Sequence, residues 1–87
     1  MKDYSNKVPT KDQEILVTCK DGFAIYGSVN IQGFDRFSDF YDQATNLHVY
    51  DAVVWNAWSK EVKQSYICIE KQNILFAFPP EEQERYK

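Results

Sequence analysis

The chain has 87 residues, 44% hydrophobic and 16% aromatic, with 10 basic against 13 acidic side chains and a formal net charge of −3. That length provides for one core and excludes a second domain. The acidic balance excludes the broad affinity for nucleic acid that surplus Lys and Arg confer by releasing counterions from phosphates.

Residues 1–13 are polar and carry no apolar segment of the kind a secretory signal needs. They read as a flexible terminus, with Thr10 and Gln13 spaced for a capping box around one helical turn as the alternative. No apolar run approaches the ~20 residues of a spanning helix, so a cytoplasmic location away from membranes is expected. Residues 14–20 read as a first strand with Ile15, Val17 and Cys19 on one face. Asp21-Gly22 predicts a two-residue type I′ hairpin turn. Residues 23–32 form the second strand, with Phe23, Ile25, Gly27, Val29 and Ile31 on its apolar face. A glycine at the centre of that face marks a sharp bend or a close backbone approach, so a strongly curved sheet is predicted.

Residues 33–46 then interrupt two strands with three aspartates, an arginine, an asparagine and four aromatic rings. The stretch is too apolar for an idle loop and too charged for a core strand. Ser38 as N-cap and Asp39 in the first turn predict a short helix over 39–44, ended by Asn46. Residues 47–55 form a third strand in which Leu47, Val49, Asp51, Val53 and Trp55 share a face. A turn over 56–60 lies between Trp55 and Trp58. A fourth strand spans about 62–70, with residues 66–69 as its buried part, and Lys71-Gln72 turns the chain into a fifth strand over 73–78. Pro79-Pro80 ends that strand, because proline has no N–H to donate to a ladder. Residues 81–87 read as flexible or weakly helical. The pattern is all-β: a small, strongly bent five-stranded antiparallel sheet or partly open barrel, with a helical turn between the second and third strands.

Cys19 and Cys68 lack CxxC spacing, and with His48 as the one histidine they cannot supply the four soft ligands of a structural zinc site. Both sit at apolar strand positions and read as buried free thiols, with a disulfide between strands as the alternative. His48 has no nucleophile beside it, so no catalytic group and no enzymatic activity are expected. Asp35, Asp39 and Asp42 fit no metal-binding loop, and no metal or cofactor is expected.

Residues 15–27, apolar-x-apolar followed by Cys-Lys-Asp-Gly-Phe-Ala-Ile-Tyr-Gly, resemble the opening half of the first Sm motif. Residues 41–52, aromatic-Asp-x-x-x-Asn-Leu-x-apolar-x-Asp-Ala, resemble its closing half. Arg36-Phe37-Ser38-Asp39-Phe40 is similar to an Arg-apolar-Ser-Asp-apolar signature in a group of short uncharacterised bacterial Sm-like proteins. The resemblance covers about 14–78 and implies an Sm-like barrel of the Sm/Hfq type, related in shape to SH3-like barrels. It departs from the family in two places. Residues 32–40 are an insertion, and an alternative alignment puts Asp35 and Asp39 where Asp42 and Asn46 stand in the first. The family's Arg-Gly or Lys-Gly turn before the last strand is replaced by Glu70-Lys71-Gln72-Asn73. In the family, that turn and the asparagine together hold a uridine base.

Two candidate clusters follow, the first implied by the resemblance and the second by the spacing of the residues themselves. In the first, Asn46 reads a base edge, Asp42 orients it, and Lys71 assists; the alternative is a pair capping a loop. In the second, Arg36 pairs with Asp39 three residues on and fixes Phe37 for stacking on a base or a partner; the alternative is a Phe37 that plugs the barrel mouth. Residues 74–78 are apolar on both faces, as an edge strand that pairs with another subunit would be. Sm-like rings join fourth strand to fifth in this way, so a homo-oligomer through those edges is expected. The implied function is a self-associating interaction module acting through residues 34–46, with a protein or RNA partner; the alternative is a ring that recognises single-stranded U- or A-rich RNA.

Overall fold

A computed structural model of the protein describes residues 10–80. The expected flexibility of residues 1–9 and 81–87 lies outside the described residues. Strand β1 spans Asp12–Cys19, β2 Ala24–Asn30, helix α1 Phe37–Gln43, β3 Asn46–Asn56, β4 Ser59–Glu70 and β5 Ile74–Phe78, with a 3-10 turn at Lys71–Asn73. Every adjacent pair is antiparallel, in the order β4-β3-β2-β1-β5, which leaves β4 and β5 as the two edges of an open, bent sheet. Among the described residues no helix is long and apolar enough to cross a membrane.

The alternation of β1 and β2 maps directly onto burial. Ile15, Val17 and Cys19 face inward, as do Ile25 and Val29 on the neighbouring strand and Ile31 just past its end. They pack with Leu47, Val49, Ala52, Ile69, Ile74 and Phe37 into one cluster. Each large aliphatic side chain buried in this way contributes about 1.5–3 kcal/mol against exposure. Phe23, expected on the inner face, is 37% exposed, because β2 begins only after it.

The β1–β2 connection is not the expected two-residue type I′ turn. That turn needs positive φ at both central residues, and Asp51 is the one non-glycine residue with positive φ among those described. Instead the loop spans Lys20, Asp21 and Gly22. The Gly22 N–H donates to the Cys19 carbonyl at 3.0 Å, the Cys19 N–H donates to the Phe23 carbonyl at 2.8 Å, and Gly22 takes φ 95°. This is the three-residue hairpin loop that ends on a left-handed residue.

Gly27 marks the bend. A Cβ at this position would lie 2.5 Å from Val49 Cγ1 and 2.9 Å from the Tyr50 carbonyl oxygen, so β2 and β3 cross here closer than any side chain permits. Opposite it, the register slips: Tyr26 faces Val53 but Ser28 faces Tyr50. The extra residue of β3 is taken up around Asp51, whose φ is 52°. The bulge reverses inside and outside along the strand. Leu47 and Val49 are buried before it and Ala52 after it, while Asp51 is exposed. The expectation of one continuous face from Leu47 to Trp55 is thereby corrected. The slip turns Asp51 out of the inward position that strict alternation would give it.

Strand β4 is an edge, which corrects a second expectation. Of residues 66–69 only Ile69 is buried; Tyr66 is 46% exposed and Cys68 lies at the surface. Cys19 is buried, and both thiols are free.

Candidate functional site

The end of α1 and the start of β3 meet the end of β4 across an open cleft of about 500 Å³, lined by residues 44–46 and 70–72. The sheet builds it. Asn46 and Glu70 are direct partners in the β3–β4 register, so their side chains stand side by side on one face. The Lys71 N–H donates to the Thr45 carbonyl at 3.1 Å and ties the 3-10 turn to the opposite wall. Gln72 Nε2 donates to Glu70 Oε1 at 3.0 Å and steadies the carboxylate. The Asn46 amide forms no side-chain hydrogen bond among the described residues and is exposed.

Lys71 lines the cleft, but its ammonium is directed elsewhere. Nζ donates to the Tyr41 carbonyl at 2.7 Å and lies 4.5 Å from the centroid of the Tyr41 ring. A cation held by a carbonyl and a ring face gives up part of its reach toward an incoming phosphate. Burial pushes the Tyr41 phenol up from its ordinary pKa.

Asp42 does not join this group. It is exposed on α1 beside a separate notch of about 210 Å³ formed with Tyr41 and Phe78, and it makes no hydrogen bond or ion pair among the described residues. Asn46 stands against the 70–72 turn, and Asp35 and Asp39 do not line that cleft. Asn46 opens β3 and does not end the helix; the C-cap is Ala44, in an extended conformation.

The second cluster forms only in part. Arg36 Nε lies 3.2 Å from Asp39 Oδ2 and Nη2 lies 3.3 Å from Oδ1, and this hydrogen bond and charge raise the guanidinium pKa further. The pair is open to solvent, with side chains 74% and 44% exposed, where such bridges contribute little. Phe37 is not displayed. It is 6% exposed, with its ring 5.6 Å from that of Tyr41 and 6.1 Å from that of Phe40. The helix therefore starts at Phe37, two residues before expected, with Arg36 as N-cap and no side-chain capping bond. Burial of the ring outweighs the capping preference of Ser38. A Phe37 turned into the core cannot stack on a base, and that role is corrected.

Sequence reasoning does not single out Thr45, Glu70 or Gln72. The signal was present in the departure from the family's turn at 70–73, which reads as a loss until the structure shows what stands there instead. On the outer face of β3 and β4, His48 Nδ1 lies 2.8 Å from the Tyr66 hydroxyl, and the Tyr66 ring packs 5.3 Å from that of Tyr50. Among the described residues no three His, Cys, Asp or Glu side chains are grouped to hold a metal ion.

No protein-family model and no curated protein matches the chain. Solved structures do. A heptameric archaeal Sm protein is similar at a TM-score of 0.56 and 25% identity, over 77% of this chain and 84% of that one. The Pyrococcus abyssii Sm protein, solved in complex with a uridine heptamer, is similar at a TM-score of 0.58 and 22% identity, over 91% of this chain and 99% of that one. The fold is Sm-like.

Proposed function

We propose that this chain is a non-enzymatic Sm-like module that joins copies of itself edge to edge, and that the cleft beside Asn46 takes single-stranded RNA. The observation that carries the first part is the pair of sheet edges, β4 and β5, that no other strand covers among the described residues. β4 exposes Val62 at 49% and Tyr66 at 46%; β5 exposes Leu75 at 60% and Phe76 at 53%. Adjacent residues of β5 point to opposite faces, so the strand is apolar on both and offers an unpaired ladder between them. An edge of that kind is stabilised by a second strand. The heptameric assembly of one structural neighbour supports the reading. Light scattering on a sizing column tests it: an oligomer is expected at tens of micromolar, reduced to monomer in Leu75→Lys. A wild-type chain that elutes as a monomer overturns it.

The RNA reading rests on the cleft, where the 70–72 turn and the unpaired Asn46 amide come together. The uridine heptamer bound to the other neighbour supports it. With a net charge of −3 and the Lys71 ammonium on Tyr41, phosphate attraction contributes little, so contacts to base edges must carry the affinity. Residues 34–46 contribute through Asn46, and through a helix whose rings anchor it to the sheet. Fluorescence anisotropy with oligo-U and oligo-A at two salt concentrations, repeated in Asn46→Ala, tests this part. Binding that weakens in the variant is expected; binding to neither oligomer nor to a strand of mixed base composition overturns it.

A further inference from the structure

We infer that the cleft, if it binds RNA as proposed above, selects guanine through the carboxylate of Glu70. The inference rests on that RNA reading and narrows it to one base. Asn46 and Glu70 are cross-strand partners, and Gln72 Nε2 donates to Glu70 Oε1 at 3.0 Å, so the carboxylate has one amide on the facing strand and a second in its own turn, all lining the cleft. The ammonium of Lys71 is held 2.7 Å from the Tyr41 carbonyl oxygen and does not neutralise the carboxylate.

An ionised carboxylate only accepts hydrogen bonds, and it accepts two in parallel. The Watson–Crick edges of the four RNA bases answer it differently. Uracil presents one N–H between two carbonyl oxygens, so a carboxylate that takes the proton faces an oxygen on each side. Cytosine and adenine each place a ring nitrogen acceptor beside their amino group. Guanine alone presents two adjacent donors, N1–H and the N2 amino group, which match the two oxygens of Glu70. Its remaining group, O6, needs a donor. The second N–H of the Gln72 amide or the unpaired Asn46 amide supplies one. Gln72 takes one lone pair of Oε1 and leaves the second, and both of Oε2, to accept from a base.

The test uses short oligoadenylates with one central guanine, uracil or cytosine, and the all-adenine strand; a single guanine cannot form stacked quartets. Anisotropy should show the guanine strand at least about fivefold tighter than the others. Glu70→Gln keeps the side-chain shape and an oxygen to accept from Gln72, but offers one donor and one acceptor; in that variant the strands should bind alike. Equal binding of all strands by the wild-type protein, or a guanine preference that survives Glu70→Gln, overturns the inference and leaves the RNA reading standing. Failure of every strand to bind removes both.

Discussion

Replacing Gly27 with alanine places a methyl group in a gap that does not exist. The new carbon would lie 2.5 Å from Val49 Cγ1, 2.9 Å from the Tyr50 carbonyl oxygen and 3.2 Å from Ala52 Cα. Val49 is fully buried and branched at Cβ, so its methyl has little freedom to turn aside. The other two contacts are backbone. The strands must therefore part by several tenths of an ångström at the bend, where Ser28 pairs with Tyr50. Overpacking of this kind costs about 1–3 kcal/mol. Alanine also narrows the unfolded ensemble, which returns about 0.4–1 kcal/mol. A net loss of about 1–2 kcal/mol remains, equivalent to a fall in Tm of roughly 5–15 °C for a chain this small. Urea unfolding followed by tryptophan fluorescence, with thermal unfolding by circular dichroism, measures it. Gly22→Ala is the control, since its Cβ meets nothing within 4 Å and any loss there comes from φ 95° alone. A Gly27→Ala protein with the wild-type midpoint and slope would refute the close crossing of β2 and β3.

Phe37→Ala should remove about 3–5 kcal/mol, a large share of the stability of a domain this size, whereas Phe37→Leu should remove less than about 1.5 kcal/mol; an alanine variant as stable as wild type would show that the ring lies outside the core. The two thiols should react with a disulfide reagent in two phases, Cys68 at once and Cys19 only on unfolding, and a single rate for both would contradict their placement. Burial, and then the charge of Asp21, raises the Cys19 pKa. The folded thiol therefore keeps its proton where the unfolded chain, with a thiol near pH 8.5, has released it. The unfolded state then binds fewer protons, so the contribution of Cys19 is complete below about pH 8 and is lost as pH rises through the alkaline range. Cys19→Ala should flatten that decline in urea midpoints taken from neutral to alkaline pH.

The faces of β1 and β2 and the role of Gly27 were legible because local alternation decides them. What alternation could not show was a change of register. Asp51 takes φ 52° so that Gly27 can approach β3, and that requirement arises between strands distant in sequence. Cys68 was read as buried for a related reason: whether an apolar strand is central or at an edge depends on the order of the sheet, which its own residues do not encode. Phe37 reads equally as a displayed ring or as a plug of the barrel mouth, because the direction of its ring depends on a core assembled from strands distant in sequence; the structure turns it inward. In the cleft, Asn46 and Lys71 were brought together as the motif order implied. Asp42 was separated from them by the turn of a helix that begins earlier than Ser38 suggested.

The two margins of the sheet are unequal, twelve residues in β4 and five in β5. A ribbon formed between unlike margins can be no longer than the shorter one, and Pro79-Pro80 blocks its extension. The greater part of β4 then stays unclaimed in any head-to-tail chain of copies. That remainder carries exposed Lys60, Glu61 and Lys63 toward the hairpin tip, charges that deter stray strands from adding there. If copies join as proposed, each contact is confined to one short seam.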